Sequence, residues 1–408
     1  VQHLGGTTVD VAIADEAGAV RAVLAGMTFE ELENSASGGP GQMLHEIDWE
    51  PVELSGTDRP AEVVLVGGRW DDVAAIRSDL AAAGVRHSIC AEPGEIDGEL
   101  TEGSAVLVVP DAEGTAQAAA ELVLATLKRL HANGSAARLW VLTKGVLEGR
   151  SLSHAPLWGL ARVAAAEHPQ LWGGVLDVAA GCGRDPLPLS VMAALPGHGV
   201  VAVRDGIASI ARLRHARTGS RAPMTCTAGG TYLITGGTGA LGLLMAQRLA
   251  DLGARRLVLL SRSGMPPRTS WAALADSEVV DTVTALEDRG VSVHVAAIDI
   301  GAAEAGSRLR EMLAGLPAVR GVVHAAGVEA GVLLSDTTDE QLRTAMRPKV
   351  DGSLVLHELF PPGQLDWMVL YSSCGYLAGF PGQGAYACAN AFLDALARHR
   401  HGLGDRTV

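Results

Sequence analysis

Lysine is the scarcest charged residue in this chain: it stands at positions 128, 144 and 349 and nowhere else in 408 residues. A lysine here is a rare choice, so its surroundings carry information. Cysteine is sparse as well. The five thiols, Cys90, Cys182, Cys226, Cys374 and Cys388, include no Cys-x-x-Cys pair, which argues for buried thiols in a reducing cytoplasm rather than disulfides or a zinc site. No run reaches the ~18 apolar residues of a membrane span, and no charged-then-apolar leader opens the chain. Positive charge is in deficit. A formal net charge of -14 argues against nucleic acid or an anionic membrane as a bulk partner, while leaving room for a local basic pocket around one phosphate. An initiating Met is missing too. The chain starts at Val1 in what reads as mid-strand and stops at "GDRTV", where a further strand would begin; this is the pattern of a piece cut from a longer polypeptide.

What is present reads as two or three globular domains, at 48% hydrophobic and 19% charged residues. Val9, Val11 and Ile13 alternate before a turn at "DEAG" (15–18), a hairpin pattern, and "ENSASGGPGQ" (33–42) reads as a linker. Residues 1–42 are thus expected to be the tail of a preceding domain plus linker. From 43 to 218, apolar runs at 62–68, 105–110, 138–145 and 173–178 alternate with amphipathic stretches at 116–130 and 155–169. That pattern predicts a parallel sheet covered on both faces. Its first turn, Gly67-Gly68-Arg69-Trp70, lacks a third glycine and carries bulk where a pyrophosphate would approach, so no cofactor site is expected there. After a breaker-rich segment (217–230), residues 226–408 repeat the α/β pattern with strands at 231–236, 256–262, 291–299, 321–327 and 366–373, and a last helix from about Gly384. The fold class is α/β: two tandem Rossmann-like subdomains with parallel sheets, the second truncated after its fifth strand and following helix.

Between strand and helix lies "TGGTGALG": Thr235, Gly236, Gly237, Thr238, Gly239, Ala240, Leu241 and Gly242. Gly237, Gly239 and Gly242 form GxGxxG, and Gly236, Gly239 and Gly242 form GxxGxxG. Such a turn needs backbone without Cβ beside a pyrophosphate, and a helix N-terminus aimed at the phosphates. The next strand ends in Ser261, Arg262 and Ser263 where NAD sites place a carboxylate. That donor set suits a 2′-phosphate and predicts NADPH. Asp299, followed by Ile300, closes the third strand where a carboxylate can meet an adenine amino group. Ala325, Ala326 and Gly327 of "HAAG" let the backbone lie along the cofactor.

In "GQGAYACANAFLDAL" (382–396), Asn390 follows Tyr386 by one helical turn, where a reductase using that phenol as an acid would want a lysine. Together with "YLITGGTGALG", "HAAGV", "YSSCGY" and "RPKVDG", this stretch resembles the ketoreductase domain of modular type I polyketide synthases, a short-chain dehydrogenase/reductase family. The resemblance covers roughly 43 to 408, since "LWGLARVAAAEHPQLWGG" is similar to the family's non-catalytic structural subdomain. Residues 7–30 resemble the last strands of a dehydratase domain. The resemblance implies that lysine and asparagine have exchanged places: Lys349, in "RPKVDG" before a long helix, takes the lysine role, Ser373 the serine, Tyr386 the acid and Asn390 the asparagine. Ser373 precedes Tyr386 by thirteen residues, as in the family. Physics agrees. A free phenol titrates near ~10, too high to release its proton readily at neutral pH, and a nearby ammonium favours the phenolate. Ser373 would polarise the substrate carbonyl, and Asn390 would hold a water or the lysine.

The implied activity is NADPH-dependent reduction of a β-ketoacyl thioester to a β-hydroxyacyl thioester in a cytoplasmic multienzyme. Its implied partners are an acyl carrier protein with a phosphopantetheine-tethered chain and the neighbouring synthase domains. Three departures stand against the pattern. Glu329-Ala330-Gly331 replaces the Leu-Asp-Asp of one stereochemical class, Ala378 replaces the tryptophan of the other, and the family's later strands and lid helix are not present. The handedness of the product stays open. Cys388 reads as core packing rather than as a nucleophile. Two other readings remain: a redox-silent scaffold, and a nucleotide-sugar epimerase or dehydratase, against which Asn390 counts.

Overall fold

The computed structural model describes residues 2–5, 8–14, 20–28, 44–54, 58–96, 100–180, 187–197, 199–216, 224–273, 277–329 and 331–408. The "DEAG" turn, the 33–42 linker, Cys182, Ala330 and part of the 217–230 breaker segment lie outside these residues. Two compact units result, 1–48 with 212–221, and 49–211 with 222–408. In the first, β1 (Gln2–Gly5), β2 (Thr8–Ala14) and β3 (Val20–Thr28) form an antiparallel sheet.

The remaining chain begins with β4 (His45–Val52), β5 (Glu62–Val66), α1 (Trp70–Ala82), β6 (Arg86–Cys90), β7 (Ser104–Val108), α2 (Ala116–Ala132) and β8 (Arg138–Lys144). It continues with α3 (Pro156–Glu167), β9 (Trp172–Val178), α4 (Leu189–Ala194), β10 (Val200–Arg204) and β11 (Ile207–His215). The sheet order is β4-β11-β10-β9-β8-β7-β5-β6. The stretch from β6 to β10 is parallel, but β11 returns antiparallel to β10, so this sheet is not uniformly parallel as expected. The reversal is a tight Asp205-Gly206 turn with φ of 51° and 77°, the left-handed pair a two-residue hairpin demands. Strand β6 escaped the sequence reading because its outer residues are polar and exposed.

The second series is β12 (Thr231–Thr235), α5 (Ala240–Asp251), β13 (Arg256–Ser261), α6 (Glu278–Asp288), β14 (Ser292–Ala297), α7 (Ala305–Leu313) and β15 (Val319–His324). Then follow α8 (Asp339–Leu359), β16 (Trp367–Leu370), the short α9 (Gly375–Ala378) and α10 (Gly384–Gly402). Its five strands are all parallel in the order β14-β13-β12-β15-β16. Arg406–Val408 run beside β16, with Met368 N–H donating to the Arg406 carbonyl at 2.9 Å and Val408 N–H to that of Met368 at 2.9 Å. Lys349 lies inside α8, not before a helix as its proline suggested. The helix starts earlier, at a capping box in which Thr338 and Gln341 exchange side-chain-to-backbone bonds. Pro348 is carried in the interior, where it removes one backbone donor.

Alternation along each strand sorts the core into layers. Val63, Leu65, Leu107 and Trp140 face α1 and α4, while Val64, Val66, Val108 and Val141 face α2 and α3. The latter layer is continuous with Leu233, Val258, Leu260 and Val322 of the second sheet through α2, α3, α8 and α10. One apolar core therefore lies between the two sheets. Among the described residues no helix is long and apolar enough to cross a membrane.

Candidate active site

The glycines of 235–242 divide into those that shape the turn and those that open it. Gly236 has φ +66°, and a Cβ there would meet the Ala325 backbone at 2.8 Å. On Gly242 a Cβ would stand 2.3 Å from the Gly236 carbonyl oxygen, and on Gly237 it would strike Leu259 at 2.7 Å. These contacts draw α5 and the end of β15 against the turn. Gly239 meets nothing closer than 3.4 Å, which leaves its backbone open. A groove of about 280 Å³ follows, lined by Thr235, Gly236, Thr238, Gly239, Ser261, Arg262, Ser263, Asp299, Ile300, Ala325, Ala326 and Gly327. Gly237 and Gly242 are buried behind it; Ala240 and Leu241 are exposed at the start of α5 and do not line it. Bare backbone at a helix start, with two serines and an arginine on the far wall, fits a dinucleotide. In the first sheet the equivalent turn is filled, because a Cβ on Gly67 would meet Leu122 at 2.8 Å.

The groove also contains residues that the sequence reading passed over: Leu260, Ile298, Val328, Thr344, Arg347 and Pro348. Arg347 was within reach, two positions before Lys349 in the same motif. Its guanidinium donates to Asp299 Oδ2 at 2.6 Å, while Asp299 Oδ1 accepts from Gly301 N–H at 3.1 Å. The carboxylate expected to meet an adenine is thus already engaged. Arg262 is exposed and has no partner among the described residues.

Past the groove, Lys349 reaches out of α8 toward Tyr386 on α10. Its Nζ lies 5.8 Å from the centroid of the Tyr386 ring and donates to the Tyr371 carbonyl at 2.6 Å. Gly327 gives it room, since a Cβ there would stand 2.9 Å from Lys349 Cε. The lysine is 4% exposed. Burial lowers its pKa to about 8, against a smaller opposing pull from Asp394. His324, at the end of β15, is fully buried and held neutral, its pKa lowered to about 3 by burial and by Lys349; its Nδ1 pairs with Thr235 Oγ1 at 2.7 Å.

Asn390 is completely buried. Its Nδ2 donates to the Tyr386 carbonyl at 2.8 Å, and its Oδ1 has no partner among the described residues. Asn390 therefore grips the tyrosine's own turn of helix, while the carbonyl of Tyr371 holds the lysine. Ser373 is half-buried after β16, and its Oγ accepts from Gly375 N–H at 3.1 Å. Ser372 points elsewhere, donating to the Asn390 carbonyl at 3.3 Å. Cys388 is buried, and burial raises its thiol pKa to about 12. Cys90 is buried as well, whereas Cys374 is exposed and Cys226 partly so, against the expectation of uniformly buried thiols.

The arrangement is one of a buried cation beside a phenol, a hydroxyl at the end of the fifth strand, and a bare-backbone groove whose Gly327 lies against the cation's side chain. Comparison with known proteins agrees with this geometry. Residues 230–408 match a model described as KR domain, and residues 47–213 match one described as the Rossmann fold domain of polyketide synthase extender module SpnB. The chain is 40% identical to a 6-methylsalicylic acid synthase of Arthrobotrys oligospora and 40% identical to a 5-methyl-1-naphthoate synthase of Streptomyces sahachiroi. In each case 98% of this chain is covered, and the chain spans 24% of the relative's length. Among solved structures, A-type ketoreductases from a modular polyketide synthase superpose with a TM-score of 0.73 at 31% identity, covering 90% of this chain and 82% of theirs.

Proposed function

This chain belongs to the ketoreductase family of polyketide synthases, and from that premise we propose that it reduces a β-ketoacyl thioester to a β-hydroxyacyl thioester with NADPH. The carrying observation is the buried Lys349 ammonium beside the Tyr386 ring, packed against Gly327 of the glycine groove.

When bound, the reduced nicotinamide supplies the hydride that the β-carbon accepts. Ser373 donates a hydrogen bond to the ketone oxygen, orienting it and stabilising the negative charge that builds there. Tyr386 gives its proton to that oxygen, completing the alcohol. Lys349 favours the phenolate left behind and, held by Tyr371, stays in register with it. Asn390 fixes the helical turn that bears the phenol. Gly236 and Gly239 would offer backbone to the pyrophosphate, and the exposed Arg262 with Ser261 and Ser263 would hold a 2′-phosphate, which favours NADPH over NADH.

We assign residues 226–408 to this catalytic work and 43–218 to a structural subdomain. The substrate is carried on the phosphopantetheine of an acyl carrier protein, in a cytoplasmic multienzyme with further synthase domains. The names of the two relatives point to a synthase whose product is an aromatic carboxylic acid. The test is NADPH oxidation, followed by absorbance with a small β-keto thioester, on the domain within its native polypeptide. Tyr386→Phe should lower turnover by ~10²–10⁴. Absence of turnover in the wild type would leave the redox-silent scaffold standing.

A further inference from the structure

The motif "LWGLARVAAAEHP" ends α3 in the structural half, far in sequence from the tetrad, and its glutamate is not a surface charge. The Glu167 side chain is only 3% exposed. Its Oε2 accepts from Leu334 N–H at 2.6 Å, and its Oε1 accepts from Gly382 N–H at 2.7 Å. One carboxylate thus bridges two loops of the catalytic half: the loop after "HAAGV" and the loop running into Tyr386.

The two loops also grip each other. Val332 N–H donates to the Gly382 carbonyl at 2.9 Å. A Cβ on Gly384 would stand 2.3 Å from Leu334 Cδ2, so Leu334 is seated against the backbone two residues before Tyr386. Gly382 has φ +81° and Gly379 φ +66°, which makes this a loop whose conformation few residues could hold unaided. Lys128, from α2, donates to the Thr337 carbonyl and ties the other end of the first loop to the same half. Among the described residues no charged lysine or arginine pairs with the carboxylate. His168 Nε2 stands 4.0 Å from Oε2, and burial, with His131 beside it, holds that imidazole below its usual range.

Both loops carry large apolar side chains into solvent. Leu333 is 47% and Phe380 52% exposed. Phe380 borders the reacting groups, since a Cβ on Gly375 would lie 3.2 Å from Ser373 Oγ and 3.6 Å from Phe380 Cδ2. An acyl chain whose ketone sits at Ser373 would leave past these lips.

We infer that Glu167 is a positioning residue: by accepting the Leu334 and Gly382 amides it locks the two substrate loops together and aims the acyl chain at Ser373 and Tyr386. The inference rests on the ketoreductase reading above. It gives the cofactor-free half a task in the reaction that a mere packing partner would not have.

Glu167→Gln tests it at constant volume, because an amide keeps one acceptor but turns an N–H toward the second loop. Expected are a kcat/KM for the β-keto thioester lowered about tenfold to a hundredfold, NADPH affinity within about twofold of wild type, and a product whose hydroxyl configuration is less uniform. Hydrogen exchange at the Leu334 and Gly382 amides should accelerate in the variant while the strands of both sheets stay protected. Glu167→Asp, too short to reach both amides but still an anion, should fall between wild type and Gln. Unchanged kcat/KM with unchanged exchange would overturn the inference. So would an equal fall in NADPH affinity, which would mark a general loss of structure. Should the wild type prove inactive, the ketoreductase reading fails by itself. Fast wild-type exchange at these two amides would then sink the loop lock as well, and slow exchange that Gln accelerates would sustain it.

Discussion

Lys349 carries its ammonium at 4% exposure, directly after a proline in the middle of α8. Its pKa falls from 10.5 to about 8, so between those values the unfolded chain binds a proton that the native chain has lost. Stability therefore rises as pH climbs from about 8 to 10.5, and the cost of burial is fully present at neutral pH. That shift corresponds to about 3 kcal/mol, partly offset by the bond to Tyr371, so Lys349→Met should be more stable at pH 7 by roughly 1–2 kcal/mol while losing turnover. Thermal melts at pH 7 and near pH 10 should show that gap narrowing. Wild-type turnover should fall as pH passes upward through about 8, where the ammonium is lost. A variant less stable than wild type at pH 7 contradicts this account. The pairing of Lys349 with Tyr386 was legible in the sequence because the lysine is rare and its motif specific. The Tyr371 carbonyl and the Asp299–Arg347 pair were not, since backbone atoms have no sequence signature and an ion pair depends on which loops meet.

Helix α3 crosses α10 at Gly159, where a Cβ would sit 2.1 Å from the Ala387 carbonyl oxygen. A glycine in mid-helix costs helix stability on its own, and the close crossing supplies the reason for it. Its partner on α10, Ala387, is small and 1% exposed. Because Ala387 follows Tyr386, the crossing also sets where the phenol stands. Gly159→Ala should therefore cost ~1–3 kcal/mol by overpacking and lower kcat out of proportion to any change in NADPH affinity. Denaturant melts and steady-state kinetics on the same preparation decide it. Element existence was legible along most of the chain from apolar periodicity. The start of α8 was not, because the proline pointed to a boundary that the Thr338–Gln341 capping box had already set upstream.

At the scale of the molecule, the two halves share the core layer between their sheets. Leu160 of α3 and Leu393 of α10 are both fully buried within it. Residues 49–211 and 222–408 should therefore unfold in one transition. Leu160→Ala, made in the structural half, should destabilise by ~2–5 kcal/mol and lower the melting temperature seen by NADPH binding and by calorimetry equally. Two separated transitions would show the core to be divided.

The amino-acid sequence by itself determined that a strand, a glycine turn and a helix form an open groove, and it named the four side chains to which the proposed chemistry is assigned. Those features depend on local spacing, backbone freedom and residue chemistry, which are written along the chain. Tertiary structure alone decided that a carboxylate from one sheet's helix secures the loops of the other, that Arg347 occupies Asp299, and that a glycine lets two helices meet beside the phenol. Each of these depends on distances between segments remote in the chain, and only the packing of the shared core sets them.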